Sequence, residues 1–176
     1  MKSRKLLPVV VLLGAMTLSA YAGEEGKMVK PPEASSQLAR IKALSGKWRG
    51  TSTEANGSQQ PAEIEYHVTS GGSAVVETLF PGTEHEMVSV YHDQGGKLSM
   101  THYCMLGNQP ELGLVNATPN EIQLSLAASS PIAASEPHMH SLNLALPDAD
   151  HLTQTWAFYQ DGKFAGTTTI TVAREK

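Results

Sequence analysis

The chain has 176 residues, of which 40% are hydrophobic and 17% charged, enough for one domain with its own core. Its formal net charge at pH 7 is −4, and no cluster of Lys and Arg offsets this acidity. Because an acidic protein repels phosphate backbones, the composition argues against a nucleic-acid-binding protein.

The first 22 residues predict a cleavable secretory signal peptide. A basic start precedes an apolar run over 6–18, and Ala20 and Ala22 put small residues at positions −3 and −1 of a cleavage site. The apolar run is shorter than the roughly 20 residues that a membrane anchor needs. Cleavage after Ala22 removes three basic residues and leaves 10 basic and 17 acidic ones, a formal charge of −7. We therefore expect a periplasmic or secreted protein without an integral membrane segment.

Residues 23–34 are charged, contain Pro31 and Pro32 and show no apolar period, which predicts a flexible segment. The remaining residues, 35–176, are predicted to form the single folded domain. Cys104 is the only cysteine, so no intramolecular disulfide can form. In an oxidising compartment such a domain has to be held together by its hydrophobic core.

One short helix is predicted at the start of the domain. Ser35 or Ser36 can cap its first turn, and Leu38, Ile41 and Leu44 follow at intervals of three residues on one face. A glycine two residues after Leu44 favours an end there. The predicted helix is therefore only two to three turns long.

From Trp48 onward the apolar residues recur every second position, which is typical of half-buried strands. In the last predicted strand this spacing puts Phe164 on the core face together with Ile170 and Val172. Gly-Gly pairs at 71–72 and 95–96 indicate tight hairpin turns. After strands beginning at Trp48 and running through 64–68, the predicted strands cover residues 73–80, 86–92, 97–104, 112–115, 121–126, 139–146, 151–159 and 164–174, with a loop over 127–137.

This series predicts an all-β fold, an antiparallel up-and-down barrel of about ten strands with one short N-terminal helix. Free sheet edges invite pairing with other chains, so a sheet this long has to close or fold over. Closure into a barrel removes the edges entirely, and a β-sandwich is the alternative architecture.

Two stretches of the sequence resemble known families. The Gly-x-Trp-x-Gly pattern of Gly46, Trp48 and Gly50, directly after a short helix, resembles the start of lipocalin-like (calycin) barrels, including the nitrobindin-like group. The resemblance implies that Trp48 plugs one end of the barrel. Residues 71–77, 86–91, 101–104 and 107–110 are similar to a family of bacterial exported proteins of unknown function, and this resemblance spans 44–174.

One departure from the nitrobindin-like pattern concerns haem. That group ligates haem through a histidine near the C-terminus, whereas the last histidine here is His151 and the final predicted strand contains none. The departure argues against haem binding by that mechanism. We predict no cofactor.

Glu77 and His102 are candidate polar groups inside the predicted barrel. Glu77 shares one strand face with Val75 and Leu79, and a buried carboxylate would need partners; the opposite orientation would leave it in solvent. His102 and Cys104 point the same way and are predicted to face inwards. They are too far apart along the strand, roughly 6–7 Å, for a direct hydrogen bond. We therefore interpret Cys104 as a packed core residue rather than as a nucleophile.

Amide and imidazole side chains supply further candidates. Asn108 and Gln109 lie in a predicted turn and would either contact a ligand at the barrel mouth or satisfy the turn itself. His138 and His140 put two imidazoles on one strand face, whereas a closed metal site needs three or four ligands. We predict no metal site.

The sequence therefore supports a binding protein for a small, largely apolar molecule held in the barrel. The predicted ligand-binding residues are Trp48, Glu77, His102, Asn108 and Gln109. One alternative is an enzyme in which Glu77 or His102 acts as general base on a substrate in the same cavity. Another is a non-catalytic module with a filled barrel that contacts an envelope protein through an exposed apolar patch.

Overall fold

The computed structural model describes residues 33–133 and 135–176. The predicted signal peptide, residues 1–22, lies outside the described residues, as does the predicted flexible segment apart from its last two positions. Within the described residues no helix is both long and apolar enough to cross a membrane.

The described chain forms one helix and ten strands, joined mostly by short turns. A single 3₁₀ turn, Ser70–Gly72, connects the second and third strands. The elements are α1 (Ser36–Lys42), β1 (Gly46–Thr53), β2 (Gln59–Thr69), β3 (Ala74–Leu79), β4 (Met87–Gln94), β5 (Lys97–Tyr103), β6 (Glu111–Thr118), β7 (Glu121–Leu126), β8 (His138–Ala145), β9 (His151–Gln160) and β10 (Lys163–Arg174).

Every strand pairs antiparallel with its neighbours in sequence, and β1 also pairs with β10. The sheet is therefore a closed ten-stranded barrel, which confirms the predicted fold and rules out the β-sandwich alternative. Closure leaves no sheet edge free for pairing with another chain. The inner faces of the strands supply most of the buried hydrophobic residues, so the core lies inside the barrel.

The helix covers one end of the barrel, which we call the helix end. Ser35 is the N-cap, with its hydroxyl accepting from the backbone N–H of Leu38 at 3.1 Å and donating to Asp93 at the end of β4 at 2.7 Å. Trp48 is fully buried, and its indole N–H donates to the Leu44 carbonyl at 2.8 Å. The guanidinium of Arg174 lies 4.3 Å from the centre of the Trp48 ring. The helix end is thus packed shut.

The other end, which we call the open end, is formed by the loops that follow β1, β3, β5, β7 and β9. Their described residues are 54–58, 80–86, 104–110, 127–133, 135–137 and 161–162. No helix of the described residues covers this end. Any space inside the barrel is therefore reached from here.

One predicted core residue was assigned to the wrong face. Phe164 is 60% exposed, although Ile170 and Val172 of the same strand are buried as predicted. The register of β10 against β9 shifts between Phe164 and Gly166. Such a bulge reverses the inside–outside alternation, so strict period-two counting from Ile170 fails beyond it.

Candidate functional site

A cavity of about 300 Å³ lies at the open end of the barrel. This volume is at the lower limit of small-molecule sites, which span about 300–1,000 Å³. Its wall is mainly apolar, with a few polar groups between the aliphatic, aromatic and thioether side chains. The lining residues are Glu54, Gln60, Leu79, Phe80, His85, Met87, His102, Cys104, Met105, Leu106, Met139, Trp156, Thr168 and Ile170.

A buried polar network surrounds Glu77 in the barrel interior. The Tyr66 hydroxyl donates to Glu77 Oε1 at 2.6 Å, and the Tyr91 hydroxyl donates to Oε2 at 3.0 Å. The Gln154 amide also donates to Oε1, and it donates to the Tyr66 oxygen at 2.7 Å. The indole N–H of Trp156 in turn donates to Gln154 Oε1 at 2.8 Å. A carboxylate inside the core is tolerated because donors from several strands converge on it.

The strand register explains why these side chains meet. Glu77 lies directly opposite Tyr66 of β2 and directly opposite Ser89 of β4. It is fully buried between Val75 and Leu79 on the inner face of β3. Of the two orientations that the sequence left open for Glu77, the inward one is observed.

Burial raises the pKa of both kinds of acid in this network, the carboxyl group and the tyrosine hydroxyls. It raises the pKa of the Glu77 carboxyl, and the hydrogen bonds from Tyr66, Gln154, Ser89 and Tyr91 act against this rise. Burial, with the nearby Glu77, also raises the pKa of the Tyr66 and Tyr91 hydroxyls well above 10.0. Both tyrosines therefore stay protonated and act as donors to Glu77.

His102 connects this network to the cavity. It lines the cavity, and its Nδ1 lies 3.1 Å from the Ser89 hydroxyl, which also hydrogen-bonds to Glu77. We assign the His102 tautomer from this network: with Ser89 donating to Glu77, the Ser89 oxygen accepts the Nδ1–H of His102, and Nε2 keeps the lone pair. Nε2 is buried and has no hydrogen-bond partner among the described residues.

The environment of His102 keeps its imidazole neutral. The residue is 1% exposed, and its ring centre lies 4.7 Å from that of Trp156. Burial lowers the pKa of His102 to about 4. At neutral pH the site therefore presents an uncharged acceptor nitrogen, which accepts a hydrogen bond or ligates a metal ion but is a weak general base.

Cys104 lies beside His102 on the cavity wall, just after β5 ends. Its backbone is fixed by a turn, with its N–H donating to the Asn108 carbonyl and its carbonyl accepting from Gly107. Burial raises the pKa of the Cys104 thiol, and the nearby backbone of Leu106 and Met105 acts against this rise. The free thiol is thus protonated and held in place.

The predicted ligand-binding residues fall in different places. His102 lines the cavity, and Glu77 lies behind it in the polar network. Trp48 lies at the helix end, away from the cavity. The Asn108 amide donates to Glu136 and to the Pro137 carbonyl, and the exposed Gln109 amide donates to the Gly107 carbonyl. The two amides satisfy loop groups, and neither lines the cavity.

The imidazole pair of β8 is a contact between two side chains. His138 Nε2 lies 3.1 Å from His140 Nδ1, and the His140 ring stacks on Tyr159 with 3.9 Å between ring centres. No group of three His, Cys, Asp or Glu side chains is arranged to hold a metal ion among the residues that the structure describes. The pair lacks the further ligands of a closed site made from these residue types.

Several cavity and network residues were not predicted. Ser89 and Met87 lie on the inner face of β4. Both could have been predicted from the two-residue turn Gly95-Gly96, because this turn sets the register that places Ser89 opposite His102. Tyr66 could have been paired with Glu77 in the same way across the turn at 71–72. Gln154 reaches the network across the barrel, 88 residues from Tyr66, and no local pattern indicates that contact.

The haem-ligating histidine that the nitrobindin-like resemblance implies would lie near the C-terminus of the chain. No histidine lies on β10, the final strand.

Comparisons with known proteins define the fold and nothing finer. No protein-family model matches the chain, and no curated protein matches it. Rv2717c from M. tuberculosis is similar with a TM-score of 0.58 and 13% identity, over 82% of this chain and 100% of that chain. A protein of unknown function from the DUF3598 family of Nostoc punctiforme PCC 73102 gives a TM-score of 0.54 and 16% identity over 77% of this chain. This chain spans about half of the Nostoc protein, 49% of its length.

Proposed function

We propose that this chain is an exported binding protein for a small, largely apolar molecule held in the open-end cavity. The observation that carries the proposal is a mainly apolar cavity of about 300 Å³ next to one buried, unpartnered acceptor, His102 Nε2. Ligand sites commonly combine an apolar wall with a few polar groups that orient the ligand. Export is supported by the signal-peptide pattern of residues 1–22. Kinship with lipocalin-like barrels is supported by the Gly46, Trp48 and Gly50 pattern.

The chemistry of His102 narrows the ligand class. A buried acceptor without a partner costs about 1–3 kcal/mol, which a ligand with one N–H or O–H donor would recover. A neutral imidazole offers no charge to an anion at neutral pH. The preferred ligand is therefore a compact, uncharged molecule with a single donor group, such as a phenol or a short-chain alcohol.

The enzyme alternative has weaker support. Glu77 does not line the cavity, and all of its observed contacts are hydrogen bonds from neighbouring side chains. His102 has a pKa of about 4, too low for an efficient general base at neutral pH. The interaction-module alternative predicts a filled barrel, whereas the interior here contains the cavity.

Native mass spectrometry of the protein purified from its host tests both parts of the proposal. Export predicts a mature chain that begins at Gly23, and binding predicts an added small-molecule mass that is lost on gentle activation. An N-terminus at Met1 would contradict export. An unliganded chain that also fails to bind phenol or hexanol at millimolar concentration would contradict binding.

A paired substitution tests the location of the ligand. Thr168 lines the cavity, and its neighbour Thr167 lies opposite Ala157 on the outward face of β10. Thr168→Trp should fill the cavity and weaken phenol binding at least tenfold, about 1.4 kcal/mol. Thr167→Trp should leave the affinity within twofold, as measured by titration calorimetry. Equal effects of the two substitutions would place the ligand elsewhere.

A further inference from the structure

The wall of the cavity formed by β4 and β5 carries three soft donor groups. His102 contributes the unpartnered Nε2, Cys104 a thiol and Met87 a thioether, and all three residues line the cavity. Thioether, thiolate and imidazole ligands together are characteristic of sites for monovalent copper. We propose that this chain binds one Cu(I) ion through His102, Cys104 and Met87. The site does not depend on the apolar ligand proposed above.

The spacing of His102 and Cys104 suits a shared metal ion. They are two residues apart at the end of β5, both line the cavity, and an extended backbone puts their α-carbons about 6.6 Å apart. This distance prevents a direct hydrogen bond between the side chains. A metal ion about 2.0–2.3 Å from each ligand atom needs the two ligand atoms within roughly 4.5 Å of each other, so the two side chains have to lean together around the ion.

The register of the β4–β5 hairpin supplies the third ligand. Ser89 lies opposite His102, and Val88 lies opposite Tyr103. Extended by one residue beyond this last pair, the register puts Met87 opposite Cys104, and both residues line the cavity. The side chain of Met87 is partly buried against the core, which holds its thioether on this wall.

Neighbouring groups hold His102 and Cys104 in place on the cavity wall. Metal-binding histidines commonly donate their second ring N–H to a fixed acceptor, and Ser89 provides that acceptor at 3.1 Å from Nδ1. The Cys104 backbone is fixed in a turn, because its N–H donates to the Asn108 carbonyl and its carbonyl accepts from the Gly107 N–H. His102 and Cys104 are thus oriented before any ion arrives.

The charge of the site favours a monovalent ion. On binding, the S–H bond of Cys104 breaks, its proton goes to solvent, and the thiolate bonds to Cu(I) without a change of oxidation state. The resulting Cu(I)–thiolate unit has no net charge, which suits an apolar wall. A divalent ion would bring one further positive charge. The carboxylate on the cavity, that of Glu54, is already hydrogen-bonded to Ser52 and Thr168.

Competition with bathocuproine disulfonate, under anaerobic reducing conditions, measures Cu(I) binding by the exported chain. We expect one Cu(I) per chain, with the affinity lowered at least about 100-fold in Cys104→Ser and about tenfold in Met87→Leu. Met100→Leu is the matched control, because Met100 is an inward methionine of β5 that does not line the cavity. It should leave the affinity within twofold.

A second control addresses the imidazole pair of β8, His138 and His140. His140→Gln removes one member of the His138–His140 pair and should leave Cu(I) binding unchanged. Loss of binding in His140→Gln, unchanged binding in Cys104→Ser, or the lack of a one-to-one complex would each overturn the proposal.

Two further measurements use the unsubstituted chain, so their results do not depend on whether a variant folds. Copper X-ray absorption should show both sulfur and imidazole nitrogen ligands, and a purely nitrogen or purely sulfur shell would contradict the proposed site. Cu(I) should also slow alkylation of Cys104 by iodoacetamide at least about tenfold, because the thiolate is coordinated. Alkylation at the same rate with and without Cu(I) would exclude Cys104 as a ligand.

Discussion

Glu77 is an ionisable side chain placed where water does not reach, with hydrogen bonds from Tyr66, Tyr91 and Gln154. The hydroxyl and amide donors allow the carboxylate to exist in the core, while burial raises its pKa above the ordinary 4.5. In the folded chain Glu77 therefore holds its proton more tightly than in the unfolded chain. This contribution to stability is fully present below pH 4.5 and is lost as the pH rises through the folded pKa.

The pH dependence of unfolding tests this conclusion. Between pH 4.5 and pH 7.5 the free energy of unfolding should fall more in the unsubstituted chain than in Glu77→Gln. The new amide also changes stability, but by the same amount at every pH, so only the slopes are compared. Urea unfolding at several pH values measures the difference. Glu65→Gln, on the outward face of β2, is the control and should follow the unsubstituted chain. If the free energy of unfolding changed equally with pH in the unsubstituted chain and in Glu77→Gln, the hydrogen-bond donors would offset the effect of burial on the Glu77 pKa completely.

How much of the site could be predicted differs from residue to residue. The turns at 71–72 and 95–96 are visible in the sequence, and they set Glu77 opposite Tyr66 and Ser89 opposite His102. The contact between Gln154 and Glu77 depends on barrel closure, which brings together strands 77 residues apart in the chain. The bonds from Asn108 to Glu136 and Pro137 could not be predicted, because these partners belong to a loop whose course the sequence does not indicate.

At the scale of strands, backbone contact between β1 and β10 restricts side-chain size. A Cβ at Gly50 would lie 2.0 Å from the Thr171 carbonyl oxygen, whereas a Cβ at Gly113 of β6 would meet only the Ala127 methyl at 3.9 Å. Gly50 therefore lets the first and last strands approach closely at the seam that closes the barrel.

Two glycine-to-alanine substitutions compare these positions. Gly50→Ala should destabilise the fold by about 3 kcal/mol or more, because β10 backbone has to move away. Gly113→Ala should be neutral or stabilise by about 0.5–1 kcal/mol, because it reduces the freedom of the unfolded chain. Thermal and urea unfolding measure both effects. If Gly50→Ala and Gly113→Ala lost the same stability, the added methyl group itself would be the cause, and not the clash between β1 and β10.

A β-bulge limits how far the inward face of a strand can be predicted from the alternation of apolar residues. Strand number, the order of strands and most inward faces follow from alternation and turn residues, and the structure confirms them. In β10 the irregularity between Phe164 and Gly166 is not visible as a break in the apolar pattern. Phe164 consequently lies outside, in an edge-to-face contact with Tyr159 at 6.1 Å, rather than in the core.

At the scale of the whole molecule, Arg174 joins the last strand to the start of the domain. Its guanidinium donates to the carbonyls of Ala43 at 2.9 Å and Ser45 at 2.8 Å, just after α1, while it covers Trp48. Ala43 and Arg174 are 131 positions apart in the chain. The helix end is therefore held by both ends of the domain.

Replacement of this guanidinium should loosen the helix end. Arg174→Lys keeps the charge but loses the planar fork and the ring contact, so we expect a loss of about 1–3 kcal/mol in unfolding free energy. Arg49→Lys is the comparison, because Arg49 makes exposed ion pairs with Glu63 and Glu175 and should lose less than about 1 kcal/mol. Phenol affinity at the opposite end should not change in either variant.

The closure of one end has a kinetic consequence. Because α1, Trp48 and Arg174 close the helix end, the barrel has one entrance, and a molecule in the proposed site would have to leave by the route along which it arrived. The residence time of such a ligand would then depend on the loops at the open end, where Met105 is 59% and Leu106 50% exposed after β5. Shortening or stiffening the loop after β5 would change the dissociation rate without altering the cavity wall.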